Sequence, residues 1–163
     1  DRVSGLTSLL SGSSKGRITD GTEIAPGITF RADPACGVAG EWRSPAGRML
    51  ELDVRPRGTG VWIALHLALE GIAGDWLALL CRSAAREEAL IRVALRSGTA
   101  EGFTDCFFPR HILALPEPLT HADALHLPTT PDLPQAAPWR ELVFFLPTQS
   151  FTWHLHDLKV PTP

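Results

Sequence analysis

Two histidines stand two apart in the final apolar stretch FTWHLHDLKV, residues 151–160. Side chains on a strand repeat every two residues, so the imidazoles of His154 and His156 fall on one side. Such a pair suits zinc or copper when another element supplies a third ligand. His121 and His126, which flank a proline-rich segment, are the candidates for that third ligand. Two half-exposed histidines on the outer face of a last strand fit the same spacing with no metal. Asp105 adjoins Cys106, and a fold that brought His66 or His111 beside them would assemble a cysteine nucleophile with its base. No G-x-S-x-G elbow, H-E-x-x-H, phosphate-cradling glycine loop or kinase set accompanies these residues. A small enzyme using His and Cys residues is therefore the third-ranked reading.

The aromatic residues offer more. There are five Trp and seven Phe but no Tyr, which gives flat apolar faces without a phenolic hydroxyl. Rings of this kind stack on the apolar face of a sugar while charged and polar groups bond its hydroxyls. Candidate rings are Trp62, Trp76 and Trp139; candidate partners are His66, Arg82, Arg92, Arg96, Asp105 and Arg110. Asn is absent and Gln occurs only at 135 and 149, so Arg and Asp must supply the hydrogen bonds. Guanidinium binds carboxylate bidentately, so Arg82, Arg92, Arg96 and Arg110 also suit an anionic ligand such as a uronic acid or a sulfated sugar. Solvated faces paired with Glu87, Glu88 and Glu101 explain the same arginines without a ligand, and core or rim packing explains each Trp.

These residues need a frame, and the length is enough for one. A chain of 163 residues is one domain with a core that needs no disulfide or metal. Fifteen Lys and Arg against eighteen Asp and Glu leave a net charge of −3, which argues against nucleic acid as a partner. No run approaches the roughly 20 apolar residues of a membrane span. Three cysteines, Cys36, Cys81 and Cys106, without CxxC spacing exclude a disulfide framework and a four-cysteine zinc site. Cys81 reads as a small buried hydrophobe. The chain begins at Asp1 without a signal-peptide pattern, so it reads as a piece of a longer protein or a trimmed one, and the compartment stays open.

The apolar period is mostly two. Leu50, Leu52 and Val54 point one way while Glu51, Asp53 and Arg55 point the other. In 61–69, Val61, Ile63, Leu65, Leu67 and Leu69 oppose Trp62, Ala64, His66 and Ala68. Further strands are expected at 75–82, 90–96, 103–108 and 139–146, separated by turns too short for helical crossovers, so neighbours are antiparallel. Trp76 and Arg82 share the side away from Leu77, Leu79 and Cys81. The stretch AAREEALIRVAL, 84–95, is rich in helix formers and carries a Glu88–Arg92 pair, so a short helix near 84–90 leading into a strand is expected. Prolines at 116, 118, 128, 131, 134 and 138 make 116–138 loop or sheet edge, with a short strand around 124–127. In 151–160, Phe151, Trp153 and Leu155 share a face but Leu158 and Val160 switch, which requires a bulge near His156–Asp157. Ser and Gly enrichment makes 1–17 a flexible linker or N-terminal extension, followed by one β-sandwich domain over 18–163.

The run WRELVFFLP, a short turn and then FTWHLHDLKV resembles the closing hairpin of galactose-binding-like jelly rolls, a group rich in carbohydrate-binding modules. The strand ELDVRP followed by a Trp-containing strand fits the early part of such a module. The resemblance spans 28–160 and is one of pattern. It implies an all-β, antiparallel sandwich of jelly-roll type, acting as a non-catalytic accessory module with a glycan or glycoconjugate partner. It also implies a structural calcium, with Asp157 matching the last-strand ligand and Asp20, Thr22 or Glu23 of the DGTE turn supplying loop oxygens. The alternative of a different class is a structural domain that docks another domain or subunit.

Overall fold

The computed structural model describes residues 2–3, 5–10, 13–46 and 48–161, with the side chains of Thr7, Ser8 and Leu10 left aside. Its strands form two antiparallel sheets packed face to face. One sheet has six strands in the order β1 (Ser14–Arg17), β4 (Val38–Ser44), β5 (Leu50–Pro56), β13 (Phe151–Lys159), β7 (Trp76–Ala85) and β11 (Leu119–His126). The other runs β10 (Ile112–Ala114), β8 (Ala89–Thr99), β12 (Arg140–Leu146), β6 (Ile63–Ala68), β3 (Ile28–Ala32) and β2 (Thr22–Ala25). A seventh strand, β9 (Gly102–Phe107), pairs with β8 on the side away from β12. This is the antiparallel sandwich expected from the period-two patterning, of the jelly-roll type that the resemblance implies.

Alternation fills the space between the sheets. Ile63, Leu65 and Leu67 of β6 meet Leu142, Phe144 and Leu146 of β12, and Val93 and Leu95 of β8 continue the same layer. Leu50, Leu52 and Val54 of β5 and Phe151, Trp153 and Leu155 of β13 face them from the six-stranded sheet. Phe144 and Trp153 touch across the core with ring centroids 6.0 Å apart. Each such fully buried side chain contributes roughly 1.5–3 kcal/mol. The bulge expected in the last strand is present: the β13–β7 register shifts between Leu155 and Asp157, and Leu158 and Val160 return to the core.

Four segments differ from the sequence reading. The short helix near 84–90 is a tight connection: β7 continues to Ala85, Arg86 and Glu87 bend, and β8 starts at Ala89. Helix propensity is worth only tenths of a kcal/mol per residue, whereas burying Ile91, Val93 and Leu95 in a strand is worth more than a kcal/mol each. The described residues of 1–17, expected as a flexible linker or N-terminal extension, pack against the sandwich. Helix α1 (Gly5–Leu10) and the residues before it bury Val3, Leu6 and Leu9 in the core, and β1 pairs with β4. The strand expected at 124–127 is β11, which starts at Leu119. Its prolines flank it, and it lies on the sheet edge with one ladder neighbour. Val61, expected on the inner face, is exposed because β6 starts at Ile63.

Candidate functional site

Residues that alternate with the core layer of the seven-stranded sheet form its outer face, and strand register decides which of them meet. Phe103, Asp105 and Phe107 of β9 stand opposite Gly98, Arg96 and Ala94 of β8. Arg96, Ala94 and Arg92 stand in turn opposite Glu141, Val143 and Phe145 of β12, and Val143 lies beside His66 of β6. The result is a surface of aromatic rings interleaved with charge. Phe103, Trp139 and Phe107 are 54%, 44% and 39% exposed.

Two arginines sit over these rings. The Arg96 guanidinium carbon sits 3.8 Å from the Phe103 centroid, and that of Arg92 sits 4.0 Å from the Phe107 centroid. Phe107 and Phe145 are 5.8 Å apart, tilted by 36°. Arg96 is also clamped by Asp105: its Nε and a terminal nitrogen donate to the two carboxylate oxygens at 2.8 and 2.9 Å. A bidentate fork of this kind fixes the guanidinium plane. Trp139, one residue before β12, lies over Gly98, where a Cβ would come within 2.5 Å of the indole Nε1. The absence of a side chain at 98 lets the indole settle on the sheet. Behind the rings His66 is buried, its Nδ1 2.9 Å from a Glu141 carboxylate oxygen. A carboxylate only accepts, so Nδ1 carries the proton; Nε2, also buried, has no hydrogen-bond partner among the described residues.

Five of the nine ligand-binding candidates therefore share one face: His66, Arg92, Arg96, Asp105 and Trp139. Trp62, half-buried and just before β6, continues the outward parity of Ala64 and His66 at the far end of that strand. The other three lie elsewhere. Trp76 and Arg82 are on the outer side of the six-stranded sheet, where Trp76 packs on His126 at 4.5 Å and Arg82 donates to Thr120 Oγ1 at 3.1 Å. Arg110 sits in the loop before β10 and is tied to β11, its backbone N–H donating to Asp123 Oδ2 at 2.8 Å. Phe103, Phe107, Phe145 and Glu141 were missed. The alternation Phe103, Asp105, Phe107 was the available signal, but only the β8 register shows that it meets Arg92 and Arg96.

The metal candidates do not converge. Asp20 is occupied as an acceptor for the Ala32 N–H at 3.0 Å, at the end of β3 in the seven-stranded sheet. Glu23 is exposed on edge strand β2, and Thr22 closes the local turn through Thr19. Asp157 lies in the other sheet beside Lys159. These residues do not fit a calcium site, which needs six to eight converging oxygens. His154 and His156 have ring centroids 6.4 Å apart, but His121 is buried on β11 and His126 is stacked on Trp76. Among the described residues no group of three or more His, Cys, Asp or Glu could hold a metal ion.

The cysteine system is not assembled either. Asp105 faces outward in the Arg96 fork, while Cys106 points to the opposite side and its thiol donates to the Pro131 carbonyl at 3.6 Å. Burial holds the Cys106 thiol above its ordinary value, and burial pushes that of Cys81 up to about 12. Both thiols stay protonated at neutral pH, and a thiol is a poor nucleophile.

No family model and no curated protein matches the chain. Solved structures do. A module described as CBM4 superposes with a TM-score of 0.64 at 16% identity, covering 89% of this chain and 93% of its own. The CBM22-1 xylan-binding domain of Paenibacillus barcinonensis Xyn10C gives 0.58 at 9% identity, over 93% and 97%. The N-terminal cellulose-binding domain of Cellulomonas fimi β-1,4-glucanase C gives 0.55 at 16%, over 93% and 90%. At these identities the likeness is one of fold.

Proposed function

We propose that this domain is a non-catalytic carbohydrate-binding module that holds a polysaccharide chain on the outer face of its seven-stranded sheet. The observation that carries the reading is the collection of Trp139, Phe103, Phe107 and Phe145 on one face with Arg92, Arg96, Asp105, Glu141 and His66. Exposed rings give pyranose rings an apolar surface, and the Arg96–Asp105 fork offers hydroxyl groups fixed partners. The side chains are held by the sheet and by one another, so little ordering cost is added on binding. Two fold relatives carry cellulose-binding and xylan-binding in their names, which favours a β-linked chain as the ligand.

Affinity electrophoresis through gels containing xylan, hydroxyethylcellulose or mixed-linkage β-glucan tests the reading. Retardation of the wild type by at least one polymer, lost in Trp139→Ala, is expected. Unaltered mobility in all three, or equal retardation of the variant, would overturn it.

The docking alternative draws on the other sheet, where Trp76 and Leu80 of β7 are exposed beside Ala122 and Ala124 of β11. Concentration-dependent association in sedimentation, abolished by Trp76→Ser, would favour that use of the domain.

A further inference from the structure

Two adjoining hollows lie beside Trp139. The first, about 290 Å³, is lined by Trp139 itself together with Ile72, Gln135 and Arg140. The second, about 400 Å³, shares Ile72, Gln135 and Arg140 and adds Leu127, Leu133 and Pro134. Volumes of this order match small-ligand sites. Polar surface is mixed with the apolar side chains of Ile72, Leu127 and Leu133, and the guanidinium of Arg140 is the charged group common to both hollows.

That guanidinium is held in place without being neutralised. It donates to Ser97 Oγ and to the Pro134 carbonyl, both at 2.5 Å, and among the described residues it makes no ion pair. Arg96, one strand away, is forked to Asp105, whereas Arg140 keeps its charge beside an open hollow. Burial of an unpaired cation is costly, and a carboxylate arriving from outside would offset that cost. The second wall is secured independently. Buried Arg2 donates to the carbonyls of Gly71 and Ala73, so the loop carrying Ile72 is tied down from behind.

We infer that these hollows form a subsite for an acidic sugar, in which Arg140 binds the carboxylate of a uronic acid residue. Its ring would rest against Ile72 and Leu133, and Gln135 would meet a hydroxyl. The inference rests on the aromatic face being a glycan platform, because Trp139 belongs to that platform and also lines the first hollow. It narrows the ligand to polysaccharides that carry uronic acid units.

Calorimetric titration with an oligoglucuronate, with the same oligomer after carboxyl reduction, and with free glucuronate tests the assignment. The wild type is expected to bind the acidic oligomer at least tenfold more tightly than the reduced one. Arg140→Gln should abolish that preference. Because Arg140 also anchors Pro134, a second variant, Ile72→Glu, places a carboxylate on the facing wall and should abolish the preference with every anchor intact. Equal affinity of the wild type for both oligomers would overturn the subsite while leaving the platform reading standing. Binding of free glucuronate that depends on Arg140, with neither oligomer bound, would support the subsite and overturn the platform. No binding of any of the three would overturn both.

Discussion

The two outer faces of the sandwich obey the same alternation and carry different chemistry. On the seven-stranded sheet, outward positions hold rings with guanidinium groups over them, and the main ion pair, Arg96–Asp105, is largely shielded from solvent. On the six-stranded sheet the outward positions of β4, β5 and β13 hold a charged network around Glu51. Its carboxylate lies 3.3 Å from Arg43, 3.4 Å from Arg48 and 3.4 Å from His154 Nε2. Those partners are well exposed, so water competes for each of them. One face offers preorganised rings for a ligand to displace water from; the other gathers exposed basic groups around one buried carboxylate, Glu51. Polarity in the sequence marks both as outward, and only the aromatic content and the register separate them.

The sharpest break in this comparison comes from stability. Asp105→Ala leaves Arg96 half-buried without its fork and should cost about 2 kcal/mol, read as a shift of the urea midpoint. Glu51→Gln on the opposite face keeps the shape of the buried side chain and leaves its partners, which are 38–61% exposed, to water, and should cost less than about 1 kcal/mol in the same measurement. Equal costs would show that the two networks are not different in kind.

Binding sharpens the contrast next. Trp139→Ala should weaken polysaccharide binding at least tenfold, about 1.4 kcal/mol, while Trp76→Ala on the other sheet should leave it unchanged. Gly98→Ala puts a methyl where the Trp139 indole rests and should tilt the ring, with a loss of about threefold and little change in thermal stability.

The smallest effect is a pH dependence. His156, on the bulged part of β13, lies below the ordinary histidine value of 6.5, first through burial and then through the nearby charges of Arg48, His154 and Arg82, with Glu51 opposing. His121 is lowered chiefly by burial, with Arg110 adding to the effect and Asp123 opposing it. A depressed histidine stays neutral in the folded state while the unfolded chain takes up protons. Stability is therefore complete above pH 6.5 and falls as the pH drops below it. Melting temperatures between pH 7 and 5 should show this decline, and His156→Gln should flatten it.

How far the sequence could see follows from the range of each interaction. The sandwich was legible because period two is local: Leu50, Leu52 and Val54, or Phe151, Trp153 and Leu155, announce a buried face within a few residues. The bulge after Leu155 was legible for the same reason. The segment 84–90 misled because helix propensity is local while the packing of Ile91 and Val93 against the other sheet is not. Segment 1–17 misled because Ser and Gly outnumber the apolar residues, yet among its described residues Val3, Leu6 and Leu9 are buried in the core. Half of the candidate site was visible as residue types. Which residues met was not, since Phe103 joins Arg96, and Trp139 joins Gly98, only through pairings between distant strands. Trp76 was placed with Trp139 on type alone and lies on the opposite sheet.

The central claim, that the aromatic face of the seven-stranded sheet binds glycan, is tested most directly by the indole N–H signals of the five Trp in a nitrogen–proton correlation spectrum. With an oligosaccharide of whichever polymer retards the protein, Trp139 should move progressively and saturably, while Trp76 and the core Trp153 should stay in place. Movement of Trp76 with a stationary Trp139 would contradict the account.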